Sequence, residues 1–126
     1  LNYIPARLTS LFIVSASMNA KGGVLLSIKS ILRDSKNHAS PNAGWPESAM
    51  AGSLNLWLGG PRHYGNRLRQ ATKLNGDGDD ATGANINHAL VIMRTALWLF
   101  GLALLIFGAP ALARGMVAGW QMIAGI

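Results

Sequence analysis

The sequence predicts an all-α protein of the membrane: a polytopic helical integral membrane fragment, with a polar loop carrying a short helix between membrane segments. Apolar residues make up 50% of the 126 residues and charged residues 13%. The charged share is about half that of an ordinary globular chain, so part of this chain faces something other than water. Residues 89–108 form a run of largely apolar residues broken by one charge, Arg94. That run matches the ~20 residues needed to cross a hydrocarbon core. Near the start, Ile4, Leu8, Leu11 and Phe12 recur at helical spacing.

Residues 1–32 read as a broken apolar helical segment. Pro5 lies near a helix start, where a missing N–H is tolerated. The apolar run from Leu8 to Met18 is too short to cross a bilayer alone, and Asn19-Ala20-Lys21-Gly22-Gly23 interrupts it before Val24 to Leu32 resumes. One long helix and two half-elements meeting at the Gly-Gly break both remain, the broken form being preferred. Irregular backbone at membrane depth has to be covered by protein or line a wet cavity.

Residues 33–87 form a polar, basic, turn-rich loop with a short helix at about 46–58. Pro46 suits a first helical position, and Glu47 would fall in the first turn, where the helix dipole favours a negative charge. Asn42 and Gly44 supply turn chemistry ahead of it, and Gly59-Gly60-Pro61 is expected to stop the helix. Ser48 and Gly52 lie one turn apart, as do Ala49 and Ser53. A face with so little bulk admits another backbone or a large flat ligand. Asn75 to Asn87 reads as a flexible connector. Asp77 and Asp79 have calcium-loop spacing, but Ala81 stands at the third position and no glutamate closes the loop. Residues 89–108 form the transmembrane helix, Pro110 ends the span, and 109–126 form an apolar tail. Arg94 near the start of the span can snorkel or face a polar interior.

The net charge of +6 rests on few groups. Arg33, Lys36, Arg62, Arg67, Arg69 and Lys73 all fall in the loop between apolar regions, which places residues 33–87 in the cytoplasm by the positive-inside rule. The absence of cysteine excludes disulfides, thiolate zinc sites and cysteine nucleophiles. The chain opens at Leu1 within what reads as a structured segment, so a longer parent protein is expected. One membrane domain covers 1–126.

The candidate chemistry lies between Asp34 and Lys73. His38, Asn42, Trp45 and Glu47 cluster around one turn, and Gly59-Gly60-Pro61-Arg62-His63-Tyr64-Gly65 forms another with Arg67 and Arg69 behind it. A glycine-rich turn beside guanidinium groups suits phosphate, although it also reads as a helix stop with surface charges. No P-loop motif is present. Glu47 reads equally as a general base, a magnesium ligand or a partner of the helix dipole. Trp45 reads as a packing anchor, and His63 as a proton carrier or a solvated loop histidine. The residues alone reach an anionic or phosphorylated ligand and no reaction.

Ser40-Pro41-Asn42-Ala43-Gly44-Trp45-Pro46-Glu47-Ser48-Ala49-Met50-Ala51-Gly52, followed by Leu58-Gly59-Gly60-Pro61-Arg62-His63-Tyr64-Gly65, resembles the signature of the adenosylcobinamide-phosphate synthases of cobalamin biosynthesis. Leu1 to Thr9 resembles a further segment of that family, and 86–106 resembles its last membrane helix in character. The resemblance covers the C-terminal part of the family, whose members are multi-pass proteins of the cell (inner) membrane more than twice this length. It implies a ligase that joins adenosylcobyric acid to aminopropanol phosphate, or a related amino alcohol, by an amide bond. ATP and Mg2+ are implied as cofactors. Implied partners are membrane lipid and other cobalamin-assembly enzymes, with no nucleic acid. Positions matching the family are Asn2, Pro5, Arg7, Ser40, Pro41, Asn42, Gly44, Trp45, Pro46, Glu47, Gly59, Gly60 and Tyr64. Among them the resemblance implies catalytic roles for Glu47 and Asn42, with Glu47 also the metal ligand. It implies substrate contacts for Arg7, Ser40, Trp45 and Tyr64, joined by Arg62 at a position where the family is expected to vary. Asn2, Pro5, Pro41, Gly44, Pro46, Gly59 and Gly60 would be structural. A corrinoid-binding carrier, or a silent anchor for cobalamin-assembly enzymes, is the alternative.

Overall fold

The computed structural model describes residues 2–125 apart from Asn66 and Gln70; the side chains of residues 62–64, 67–69 and 119 fall outside that description. Five helices carry most of the chain: α1 (Tyr3–Ala16), α2 (Gly23–Asp34), α3 (Pro41–Leu54), α4 (Gly83–Ala103) and α5 (Ala109–Ala124). A single 3₁₀ turn (Ser35–Asn37) follows α2, and a wide π turn (Leu104–Gly108) joins α4 to α5. The protein is thus mostly helical. The loop also holds four short strands that the all-α expectation lacked: β1 (Leu58–Gly59), β2 (Arg62–Tyr64), β3 (Arg67–Arg69) and β4 (Lys73–Leu74). They pair as two antiparallel ribbons, β1 with β4 and β2 with β3.

α3 is the central element. It packs on α2 and α1, and α1 packs in turn on α4. Ile13, Val14, Ile31, Leu54, Leu56, Ile92 and Ala96 form the apolar core between them. The α2–α3 contact is made through small residues. Ser27 Oγ donates to Ala49 O at 2.8 Å, and Ser53 Oγ to the same oxygen at 2.7 Å. A Cβ added at Gly52 would collide with Leu26 O and Ser27 Cα. The small-residue face is therefore filled by a neighbouring backbone, the first of its two expected occupants, and no flat ligand has access to it. Such close approach is how helices pack when hydrophobic burial alone does not drive them together.

Helix α3 departs from the sequence expectation at both ends. It begins at Pro41, five residues before Pro46, because Ser40 is extended and its side chain accepts from Ala43 N–H. Pro41, and not Pro46, takes the first-turn position where no N–H is needed. Asn42 and Gly44 are consequently helical rather than part of a turn, and Pro46 lies inside the helix. Glu47 sits in the second turn, away from the helix end, so its reading as a dipole partner is withdrawn. The helix stops at left-handed Asn55 (φ 54°), not at Gly59-Gly60-Pro61. Gly59 and Gly60 instead take φ of 87° and 76° beside β4, where a Cβ on Gly59 would strike Thr72 O.

The acidic stretch after β4 is docked, in contrast to the flexible connector expected. Asn75 is buried, donating from Nδ2 to Leu56 O at 3.1 Å and from its backbone N–H to Asp34 Oδ2 at 2.7 Å. Asp77 meets Arg33 at 2.9 Å, Asp79 meets Lys21 at 2.6 Å, and Asp80 accepts from Trp57 Nε1 at 2.7 Å. These carboxylates hold the loop to α2, to the turn before it and to the segment after α3, rather than converging on a cation.

α4 starts at Gly83, six residues before the apolar run, behind Thr82, whose backbone N–H donates to Asn85 Oδ1 at 2.7 Å. Pro110 does not end the span. Helical backbone continues from Gly83 to Ala124, 42 residues long and apolar enough to cross a membrane. The wide turn just before Pro110 accommodates the N–H that proline lacks.

Candidate functional site

Two segments distant in sequence meet where α1 begins and α3 begins. Arg7, one turn into α1, donates through Nη1 to Asn42 Oδ1 at 2.8 Å and to Tyr3 O at 3.2 Å. Its guanidinium lies 3.4 Å from the centre of the Tyr3 ring and 4.7 Å from that of Trp45. The ring faces attract the cation through their quadrupoles, and Trp45 packs on the core beneath. Arg7 meets no carboxylate among the described residues. Asn2 precedes α1 and gives its carbonyl to Ala6 N–H, and Pro5 lies in the first turn of that helix.

On the neighbouring face of α3, Glu47 Oε2 is 3.4 Å from His38 Nε2. The ring is aimed by Ser40, whose backbone N–H meets Nδ1 at 3.0 Å and whose carbonyl oxygen lies 2.9 Å from the same nitrogen. Gly44 permits this arrangement, since a Cβ there would collide with Ser35 O and His38 Cβ. In the sequence His38 stands near Asn42, Trp45 and Glu47 with no sign of its role. The missing signal is the pairing with Glu47, which depends on α3 starting at Pro41.

The pair stands between two spaces. Glu47 lines an apolar groove of about 690 Å³ between α1, α3 and α4, with Pro5, Phe12, Pro46, Met50 and Phe100 among its walls. His38 lines a hollow of about 370 Å³ with Asn37, Ala39, Ala71 and Thr72. Among the described residues Glu47 is the charged member of the groove wall, and its side chain is 48% exposed.

A second cluster is electrostatic scaffolding. Arg33 grips Asp34 through Nε to Oδ1 at 2.8 Å and Nη2 to Oδ2 at 3.0 Å. Burial pushes the Asp34 carboxyl up, but the Arg33 hydrogen bonds and the Asn75 N–H outweigh it and hold it below the ordinary carboxylate value. Asp79 is held low by Lys21.

The structure thus brings Arg7, Asn42 and Trp45 together, and sets Ser40, Gly44 and Glu47 around His38. Pro41 and Pro46 serve the helix that carries them. The side chains of Arg62 and Tyr64, expected to touch substrate, lie outside the described residues; their backbones form β2. Lys73 Nζ rests 4.1 Å from the Trp57 ring.

Comparison with known proteins gives the family. Residues 1–93 match the CobD/Cbib protein family, a span that holds both of the segments that meet at Arg7. The chain belongs to that family. It is 43% identical over 97 residues to cobalamin biosynthesis protein CobD of Rhodobacter capsulatus, covering 76% of this chain and 29% of that one. The Brucella suis protein of the same name is 44% identical over 103 residues, covering 78% and 31%. That of Clostridium acetobutylicum is 32% identical over 99 residues, covering 79% and 31%. The matched region therefore spans less than a third of the length of these curated relatives. No solved structure matches the chain.

Proposed function

We propose that this chain is part of an adenosylcobinamide-phosphate synthase, which forms an amide between adenosylcobyric acid and aminopropanol phosphate or a related amino alcohol. The observation that carries the proposal is the junction of the two signature segments, with Arg7 bonded to Asn42 and seated over Trp45. The names of the relatives, which place them in cobalamin biosynthesis, support the pathway. In this reading Arg7 is a fixed cation for an anionic group of substrate, and Glu47 takes the proton released when the amine attacks the activated carboxylate. Asn42, first expected to be catalytic, serves by orienting Arg7.

ATP would be the co-substrate that activates the carboxylate. The residues here do not make a magnesium site on their own. No group of three or more metal-binding side chains converges among the described residues, and Glu47 is already engaged by His38.

In this reading the protein is a multi-pass protein of the cell (inner) membrane, with residues 33–87 on the cytoplasmic side. The long apolar helix and the basic loop support this. Full-length protein in detergent, given adenosylcobyric acid, aminopropanol phosphate and Mg-ATP, is expected to yield the amide, read by mass. Corrinoid binding without any amide would favour instead a membrane corrinoid carrier or an anchor for other assembly enzymes. The apolar groove suits the carrier reading.

A further inference from the structure

We infer that the bilayer covers residues 95–113, with Arg94 and Arg114 on lipid phosphates at its two faces. The helical backbone from Gly83 to Ala124 is 42 residues long, roughly twice what one crossing needs. Length alone therefore leaves its register in the membrane open.

The charges set it. Arg94 and Arg114 are the two arginines of this helix, and residues 95–113 between them carry no charge. Their separation is an axial rise of about 30 Å at 1.5 Å per residue, the thickness of a hydrocarbon core. Any other window of that length in the helix puts an arginine inside the hydrocarbon, where a charge is costly. The span expected at 89–108 would sink Arg94, and one over the second half of the helix would sink Arg114.

Both side chains suit the role. Arg94 and Arg114 are exposed, and neither meets a carboxylate among the described residues. Ile92 and Ala96 are the buried residues of α4 and face the core. Arg94, two positions from each, is turned away from it. An arginine so placed lays its apolar stem along the acyl chains and its fork on phosphate oxygens. Trp98, one turn inside Arg94, is 77% exposed, at the depth of an aromatic belt. Leu102, Leu105, Phe107 and Leu112 are exposed further in, and the π turn of Leu104–Gly108 falls near mid-depth.

This register brings the groove to the membrane surface. Its α4 wall runs from Met93 to Phe100, across the Arg94 boundary. Phe100 packs edge-on against Phe12 of α1, ring centres 5.5 Å apart. The groove therefore opens beside lipid headgroups and the outer part of the acyl chains.

The inference rests on the membrane part of the reading above and not on the amide reaction. Full-length protein free of other cysteines is given one at a time, Val91→Cys, Leu105→Cys or Val117→Cys, each at an exposed position of the helix. A membrane-impermeant maleimide is then added to spheroplasts and to inverted membrane vesicles. Val91→Cys is expected to label in inverted vesicles, Val117→Cys in spheroplasts, and Leu105→Cys in neither. Protection of position 91 or 117 from both sides would overturn the inference and leave a crossing elsewhere in the helix. Labelling of both from one side would also overturn it. Labelling of Leu105→Cys would overturn it together with the membrane reading. In a second arm, Arg94→Leu extends the apolar run, so Val91→Cys is expected to lose its label in that background and keep it with Arg94→Lys. A retained label with Arg94→Leu would overturn Arg94 as the anchor.

Discussion

A guanidinium held between two aromatic rings and an amide oxygen surrenders little further side-chain freedom when it meets an anion. Arg7 is held in that way by Tyr3, Trp45 and Asn42. Lysine would keep the charge but lose the planar stack and the fork. Arg7→Lys is expected to lower stability by about 1–2 kcal/mol, visible as a reduced melting temperature, and to weaken binding of the anionic substrate. Equal stability and binding would mean that the stack contributes nothing. Asp34 gives a pH prediction. Its folded-state carboxyl is held below the ordinary value of about 3.9. Its contribution is therefore complete above that value and is lost as pH falls through the lower folded one. Acid titration of stability should show this limb, and Asp34→Asn should flatten it while costing stability at pH 7. An unchanged acid limb in the variant would contradict the assignment. The resemblance pointed to Arg7 as a substrate contact, but the partners that hold Arg7 and Asp34 were not legible in the sequence. Arg7 and Asn42 stand 35 positions apart, and Asp34 gains its second partner from Asn75, 41 positions on.

At the scale of elements, the sequence was most informative where composition alone decides the packing. The glycine, alanine and serine of α3 called for a close neighbour, and α2 fills that place. Gly52→Ala would drive a methyl into the α2 backbone, which cannot swing aside as a flexible side chain could. Overpacking of this kind costs about 1–3 kcal/mol. Denaturant or thermal unfolding should register that loss, whereas Gly83→Ala, in open space at the start of α4, should leave stability nearly unchanged. Equal losses at the two positions would contradict the packing described. The start of α3 was misread because two prolines compete for the first-turn position, and only the bond from Ala43 N–H to Ser40 Oγ selects Pro41. The acidic loop was misread because its partners, Lys21, Arg33 and Trp57, lie far away in sequence.

At the scale of the molecule, length raises a constraint. A helix of 42 residues rises about 63 Å at 1.5 Å per residue, roughly twice a hydrocarbon core of about 30 Å. One straight crossing cannot bury it all, and the regular α-helical bonding is interrupted at the π turn of Leu104–Gly108. These 126 residues hold no cysteine, so single cysteines placed in them report topology in a full-length protein otherwise free of cysteine. A single cysteine replacing Lys36 should react with a membrane-impermeant thiol reagent from the cytoplasmic side, and one replacing Trp98 should be protected. Labelling of position 36 only from the opposite side would reverse the orientation proposed here. The family match reaches residue 93, so the site at α1 and α3 lies within shared sequence while α5 lies beyond it. The central claim is that Glu47 is the proton acceptor of amide formation at this junction, and Glu47→Gln in the full-length protein tests it most directly. The variant keeps the size of the side chain and removes its basicity. Turnover should fall by at least about 100-fold with adenosylcobyric acid binding retained; undiminished turnover would contradict the claim.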